Sequence, residues 1–366
     1  MKPRISIIIP HFERVELLQQ TLQTIRSQSY SNWEAWIVDD GSSDETWATV
    51  SQLAEADRIH ILQRNEGLKG PSTCRNIGAQ HAHGEWLLFL DSDDLMAPWC
   101  LENRTAKIKE NAADFLVFPV ALFHEKIGDL DCLWNQLSND APDLNRFLTA
   151  DSVWQTSSPL WCRKSFLKIG GFNERVFYGD DSDVHTRAIL AGLTYRKFDQ
   201  SLPDVFIRRS EQARITNSAI EKLVASRAIR LNEGADSLRK SNASPVLQLL
   251  WEGQYFIEAE FLLFNMNHAD MAIADTLQSM QANYNLSLAR RLIIRTYFRI
   301  ALRCKAKAYI ILRLARRVAV QLLPPSYFAT PASDSARRMS NGIRQAIQEQ
   351  LEQYQAAAAA QDKRER

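Results

Sequence analysis

The sequence predicts an α/β fold: a mainly parallel sheet flanked by helices, followed by an all-α region. Three observations carry that reading. Short β-branched or aromatic runs alternate with apolar residues at helical spacing through the first half of the 366-residue chain. Several of these runs end abruptly in carboxylates. Beyond about Asn217 strand signals stop, and between Asp275 and Asp334 there is no Asp or Glu at all.

Ile5-Ser6-Ile7-Ile8-Ile9 reads as a strand stopped by Pro10. Leu17, Leu18, Thr21, Leu22 and Ile25 then repeat at helical spacing. Trp33 to Val38 is a second strand that ends in Asp39-Asp40-Gly41-Ser42-Ser43, and a helix follows from about Asp44 with Ser43 or Asp44 as its N-cap. Ile59 to Leu62 is a short strand. The loop Asn65 to Pro71 leads into a helix near Ser72 to Ala82.

Trp86-Leu87-Leu88-Phe89-Leu90 is a fully apolar strand that runs into Asp91-Ser92-Asp93-Asp94. Burying three like charges together is very costly, so they must sit at an exposed strand end. That edge is where α/β sheets bind ligands. The simplest ligand for such a cluster is a hard divalent cation carrying a phosphate. A helix is expected near Pro98 and a strand at Phe115 to Phe118. From about Asp129 to Asn145 the pattern reads as a loop or insertion. Order returns at Leu160 to Arg163 and Ile169 to Phe172. Gly179-Asp180-Asp181-Ser182-Asp183 then opens a helix ending near Gly192.

Composition bounds the function. Hydrophobic residues make up 45% and charged residues 24%, enough for a substantial core. Five dispersed cysteines with no CxxC pair argue for reduced thiols in the cytoplasm and against a zinc site. The apolar run after Met1-Lys2-Pro3-Arg4 is too short for a signal peptide. No uncharged stretch reaches the ~20 residues of a membrane span, so the chain is expected to be soluble or peripherally attached.

Four blocks, in order, resemble the family 2 glycosyltransferases, which use the Rossmann-like GT-A fold. They are Ser6 to Phe12; Ser27 to Tyr30 with Trp33 to Asp44; Gly70-Pro71-Ser72 with Arg75 to Gly78 and Gly84-Glu85-Trp86, leading into Leu90 to Asp94; and Gly170-Gly171-Phe172 with Gly179 to Asp183. The match covers roughly residues 4 to 215. It implies a metal-dependent, inverting transfer from a nucleotide-sugar, UDP-linked, to a hydroxyl of a growing or lipid-linked glycan.

By that resemblance Asp93 is the direct ligand of Mn²⁺ or Mg²⁺. Asp91 touches the ribose or a metal-bound water and supports the metal, with Ser92 beside it. Asp40 reads the base, assisted by Asp39, and Pro10 and Phe12 line the nucleotide site. Lys69 and Arg75, beside a Gly-Pro loop at a helix start, either offset diphosphate charge or hold the base. Asp181 is the base that takes the acceptor proton, and Asp180 stands where the family usually has Glu. Asp183 and Asp94 read as helix-capping acids. Two departures stand out. His185 replaces a usual aromatic, implying an altered acceptor wall. The family's closing Arg-x-His pattern lacks its His in Phe206 to Ser210 and Thr216, leaving Arg208 or Arg209 as substitutes.

The organisation expected is a catalytic domain at 1–216, a helical region at 217–340 and a polar, Ala-rich tail at 341–366, a frayed helix or disordered. Arg291, Arg295, Arg299, Arg303 and Lys307 recur every four residues, with Ile294, Tyr297, Phe298, Ala301, Leu302, Ala308 and Ile311 between them. A basic amphipathic stretch over 290–317 suits an anionic membrane surface, placing the chain on the inner face of the plasma membrane. Packing of these helices on the catalytic domain, with Arg facing water, is the competing reading. No nucleic-acid motif accompanies the patch. A nucleotidyltransferase acting on sugar phosphates and a non-catalytic nucleotide-sugar-binding module are the alternative functions.

Overall fold

The computed structural model describes residues 5–149, 151–209, 220–266, 269–304, 309–329 and 338–365. The strands are β1 (Ile5–His11), β2 (Trp33–Asp39), β3 (Ile59–Gln63), β4 (Trp86–Phe89), β5 (Leu95–Met96), β6 (Phe115–Val117), β7 (Val120–Phe123), β8 (Pro159–Cys162), β9 (Tyr195–Lys197) and β10 (Val205–Arg208). Interspersed are helices α1 (Val15–Arg26), α2 (Asp44–Ser51), α3 (Pro71–His81), α4 (Cys100–Glu110), α5 (Asp143–Phe147), α6 (Arg163–Lys168) and α7 (Asp180–Leu190). The chain then turns all-helical through α8 (Ile220–Lys240), α9 (Pro245–Asn265), α10 (Asp270–Asn283), α11 (Leu288–Cys304), α12 (Tyr309–Leu322) and α13 (Asn341–Glu365).

The seven-stranded main sheet has the order β3-β2-β1-β4-β8-β6-β9. Every neighbouring pair is parallel except the two made by β8, which runs against β4 and β6. β1, β2 and β4 are buried on both faces, which explains their continuous apolar sequences. In the parallel register His11 stands opposite Asp39, and Ile8 opposite Phe89. The segments Asp39-Asp40 and Asp91-Asp93 therefore leave the sheet at one edge.

A second, three-stranded sheet, β5-β10-β7, was not visible in the sequence pattern. Its strands are two to four residues long, too short to show a period. A buried pair ties it to the main body. Arg104 of α4 donates to both carboxylate oxygens of Asp204 at 2.9 and 2.6 Å, and to the Ser157 carbonyl at 3.0 Å.

The helical region is not detached from the sheet domain. Ser226 of α8 accepts hydrogen bonds from the Phe177 and Tyr178 amides, 2.7 and 2.9 Å away, just ahead of α7. The expected boundary at 216/217 lies outside the described residues. Of the two states expected for the tail, a frayed helix or disorder, the described residues show a helix, α13, and Ile347 on that helix is fully buried with Met339 against Trp99, Phe123 and Phe206. Tyr354 donates to Glu102, and Arg344 pairs with Asp131 at 2.8 Å. A few apolar residues, spaced to meet an existing apolar patch, outweigh the polar composition that suggested fraying.

Candidate active site

At the end of β2 the two aspartates take separate roles. Asp39 is fully buried and accepts four hydrogen bonds: Gly41 N at 3.1 Å, Ser42 N at 2.9 Å, Ser42 Oγ at 2.6 Å and His11 Nδ1 at 2.8 Å. His11 Nε2 accepts from the Arg14 amide, so the ring proton sits on Nδ1. Burial raises the Asp39 pKa, but the bonds from His11 and Ser42 more than reverse this and bring it to about 2. Asp39 thus locks the loop that follows β2, with its lone pairs spent on that task.

Asp40 keeps the more open position. Its Oδ1 accepts from Arg64 Nε at 2.6 Å and Gly70 N at 3.2 Å. Sequence reading missed Arg64. The signal was the sheet register: Gln63 stands opposite Asp39, which puts Arg64 beside Asp40. Pro10 lies on β1 opposite Val38. At the rim, the exposed Phe12 ring carries Lys69, whose ammonium lies 3.9 Å from its centroid.

The acids after β4 are each held by an arginine. Asp93 pairs with Arg14 at 2.9 Å, and Asp91 with Arg75 at 2.6 Å. Ser92 is buried, and its carbonyl accepts from Thr21. Asp94 is also buried and accepts from the Arg208 amide at 2.9 Å, fastening β10 to the end of β4 rather than capping a helix. The Arg208 guanidinium is taken up by the Asp93 and His124 carbonyls and by Gln20. It is a brace for the loop that carries Asp93. Arg209 sits past it at the surface, and Ser210 and Thr216 lie outside the described residues.

Arg75 joins the two acidic motifs. It projects from α3, almost wholly buried, and its second terminal nitrogen donates to Asp180 at 2.7 Å. Burial opposes its charge, yet Asp91 and Asp180 hold it above the usual guanidinium range. Asp180 also accepts from Ser72 Oγ at 3.1 Å. Gly179 precedes Asp180 with φ +75°, a left-handed turn that starts α7 and brings the Asp180 carboxylate against α3.

Asp181 accepts from the Ser182 amide at 2.6 Å. It is partly exposed at its surface yet densely surrounded by protein. Burial first, and then repulsion from Asp180, raise its pKa to about 7. Burial also raises Asp180, against the pull of Arg75. Asp183 is turned away and pairs with Arg187 at 2.8 Å.

His185 does not line an acceptor wall. It is fully buried among Phe147, Trp154 and Trp161, stacked on Trp161, and burial lowers its pKa to about 3. The expectation of an altered wall is corrected: His185 packs into the aromatic core beneath α7.

Among the described residues no three His, Cys, Asp or Glu side chains gather into a closed metal cage. Asp91 and Asp93 nevertheless fit a small hard cation, because Mg²⁺-type sites use one or two carboxylates and complete themselves with water and phosphate.

Comparison with known proteins agrees with this arrangement. Residues 6–137 match the model for glycosyl transferase family 2. That match places residues 6–137, the first part of the sheet domain, with the glycosyl transferase family 2 domains.

The chain is 33% identical over 186 residues to the GalNAc(5)-diNAcBac-PP-undecaprenol β-1,3-glucosyltransferase of Campylobacter jejuni, covering 50% of this chain and 58% of that protein. It is 33% identical over 112 residues to the UDP-Glc:α-D-GlcNAc-diphosphoundecaprenol β-1,3-glucosyltransferase WfgD of Escherichia coli, covering 31% of this chain and 44% of WfgD. The chain thus spans about half the length of the curated relatives it matches. In fold, the S. aureus TarS 1–349 structure in complex with UDP-GlcNAc superimposes with a TM-score of 0.62 at 16% identity, covering 87% of this chain and 92% of that one. The fold shared with that structure is a sheet-and-helix body followed by a helical region.

Proposed function

We propose that this chain is a glycosyltransferase of cell-surface glycan synthesis. It moves a sugar from a UDP-linked donor to a hydroxyl of a lipid-linked glycan, with inversion, at the inner face of the membrane. The observation that carries the reading is the Arg75 bridge. One buried cation connects Asp91, at the expected diphosphate end of the site, to Asp180 beside the expected base. A nucleotidyltransferase would leave that second acidic motif without a task. The name of the Escherichia relative supports a UDP-sugar donor, and the names of both the Campylobacter and Escherichia relatives support an undecaprenyl-diphosphate-linked acceptor.

In this mechanism Asp40 and Arg64 hold the nucleoside, with Phe12 and Lys69 closing over the rim. Asp93 and Asp91 would hold Mn²⁺ or Mg²⁺, which would supply Lewis-acid neutralisation of the leaving diphosphate. Arg75 can turn from Asp91 to a phosphate oxygen without losing Asp180, because separate nitrogens serve the two. Asp181 accepts the acceptor's hydroxyl proton as that oxygen bonds to the anomeric carbon. The bond to the diphosphate oxygen breaks, and its electron pair leaves with the nucleotide.

A panel of nucleotide-sugars with Mn²⁺, read by thermal shift and by release of nucleoside diphosphate, tests this. UDP-sugars are expected to stabilise the protein and to be slowly hydrolysed. Release of pyrophosphate instead would identify nucleotidyl transfer. Binding without turnover across lipid-linked acceptors would identify a binding module.

A further inference from the structure

The basic stretch divides into two helices with different outward faces. On α11 the apolar residues Ile294, Tyr297, Phe298 and Ala301 are buried in the helical core. They are therefore not the membrane-facing set that the sequence suggested, and Lys305, Lys307 and Ala308 lie outside the described residues. Opposite them, Leu288, Leu292, Arg295 and Arg299 face outward.

α12 is arranged differently. Leu312, Ala319 and the following Leu323 face the core. On the other side Ile310, Leu314, Val318 and Leu322 are 74, 54, 54 and 57% exposed, and Ile311 lies beside them. At 3.6 residues per turn these five share an arc of about 120°. Arg313 and Arg317, both exposed, run along one edge of it.

We infer that the outward face of α12 docks in the interface of an anionic phospholipid membrane. Its apolar arc enters the headgroup boundary, and Arg313, Arg317, Arg295 and Arg299 contact lipid phosphates. Charge selects this occupant. With no Asp or Glu between Asp275 and Asp334, a second copy of the patch would oppose like charges across a two-fold axis. A bilayer instead supplies both an apolar layer and a negative surface.

The helix is also too short to cross. Fourteen residues span roughly 21 Å, against a ~30 Å hydrocarbon core. Among the described residues no helix is long and apolar enough to span a membrane. The inference rests on the glycosyl-transfer reading only for the lipid-linked acceptor that such docking would bring within reach.

Sedimentation of the full chain with phosphatidylglycerol-containing vesicles, against phosphatidylcholine alone, tests the inference. Binding is expected to need the anionic lipid and to weaken with salt, about fivefold per arginine lost. The double variant Leu314→Asp/Val318→Asp should abolish sedimentation, and Arg313→Glu/Arg317→Glu should cut it at least tenfold. Both alter exposed positions away from the acids, so UDP-sugar hydrolysis should be unchanged. Loss of hydrolysis in the parent protein would count against the enzymatic reading alone. No sedimentation by the parent, or normal sedimentation by Leu314→Asp/Val318→Asp, would overturn the docking face. So would a solution dimer that this variant dissolves. Should the Asp pair unfold the chain by circular dichroism, Leu314→Gln/Val318→Gln carries the same test.

Discussion

The sheet domain and the outward faces of α11 and α12 set arginine in different surroundings, although Arg290 and Arg316 on the inner sides of those two helices also pair, with Glu252 and Glu260. In the sheet domain Arg14, Arg64, Arg75 and Arg104 each meet a carboxylate presented by another element, at 2.6 to 2.9 Å. On the outward faces of α11 and α12, Arg295, Arg299, Arg313 and Arg317 stand in a stretch that contains no acid at all. The contrast is between arginines set against a carboxylate and arginines presented at an exposed face. A paired arginine beside a strand end keeps repelling acids together until a ligand takes its place. Exposed arginines with no acid in the sequence around them leave a net field at the surface.

The sharpest way to break the comparison is at the acids that the arginines organise. Asp181→Asn is expected to lower transfer by roughly 10³-fold while nucleotide binding persists. As a base, Asp181 must be ionised. Its pKa of about 7 in the free enzyme therefore predicts that kcat/KM rises with pH through neutrality, then levels off.

The stability effect has the opposite sign. The folded state binds this proton more tightly than the unfolded one, so Asp181 costs stability increasingly as pH rises from about 4 to about 7. Asp181→Asn should therefore raise Tm at pH 8 and change it little at pH 4. Full activity in the variant would remove Asp181 from the chemistry.

Next in size is Arg75→Lys. A lysine retains one charge but cannot bridge Asp91 and Asp180 with separate nitrogens, so kcat/KM should fall about 10²-fold. The pH profile should move with it, because one of the charges favouring ionised Asp181 is displaced. A fall in rate with an unmoved profile would make Arg75 a packing residue.

The smallest pair of effects compares the two halves directly through thermal or urea unfolding. Arg104→Ala strands a fully buried Asp204 and should cost about 3–5 kcal/mol. Arg299→Ala, on the outward face of α11, should stay within about 0.5 kcal/mol. Equal costs would dissolve the distinction.

Much of the sheet domain was legible in the sequence because its elements declare themselves locally. The buried parallel strands β1, β2 and β4 are uninterrupted apolar runs, and Ser43 caps α2 as its position suggested, accepting from the Thr46 amide at 3.4 Å. His185 was misplaced because an imidazole in an acidic motif reads as chemistry, whereas its helical phase turns it into an aromatic core. The partners of the acids were illegible for another reason. Arg14 and Asp93 are 79 residues apart, and Arg75 and Asp180 are 105 apart. No local pattern encodes a contact across such distances.

The sequence alone determined that carboxylates would end apolar strands at one edge of a sheet, because burying them elsewhere would cost too much. It also determined that the C-terminal half would be helical and basic. Only the tertiary structure decided which acid serves which purpose: Asp39 spent on its own loop, Asp94 on β10, Asp91 and Asp180 sharing Arg75, Asp181 left with a raised pKa. It likewise decided that α11 turns its aromatics inward while α12 turns an apolar face out. Each outcome depends on which neighbours surround a side chain after folding, and burial and pairing act only over the few ångströms that folding brings together.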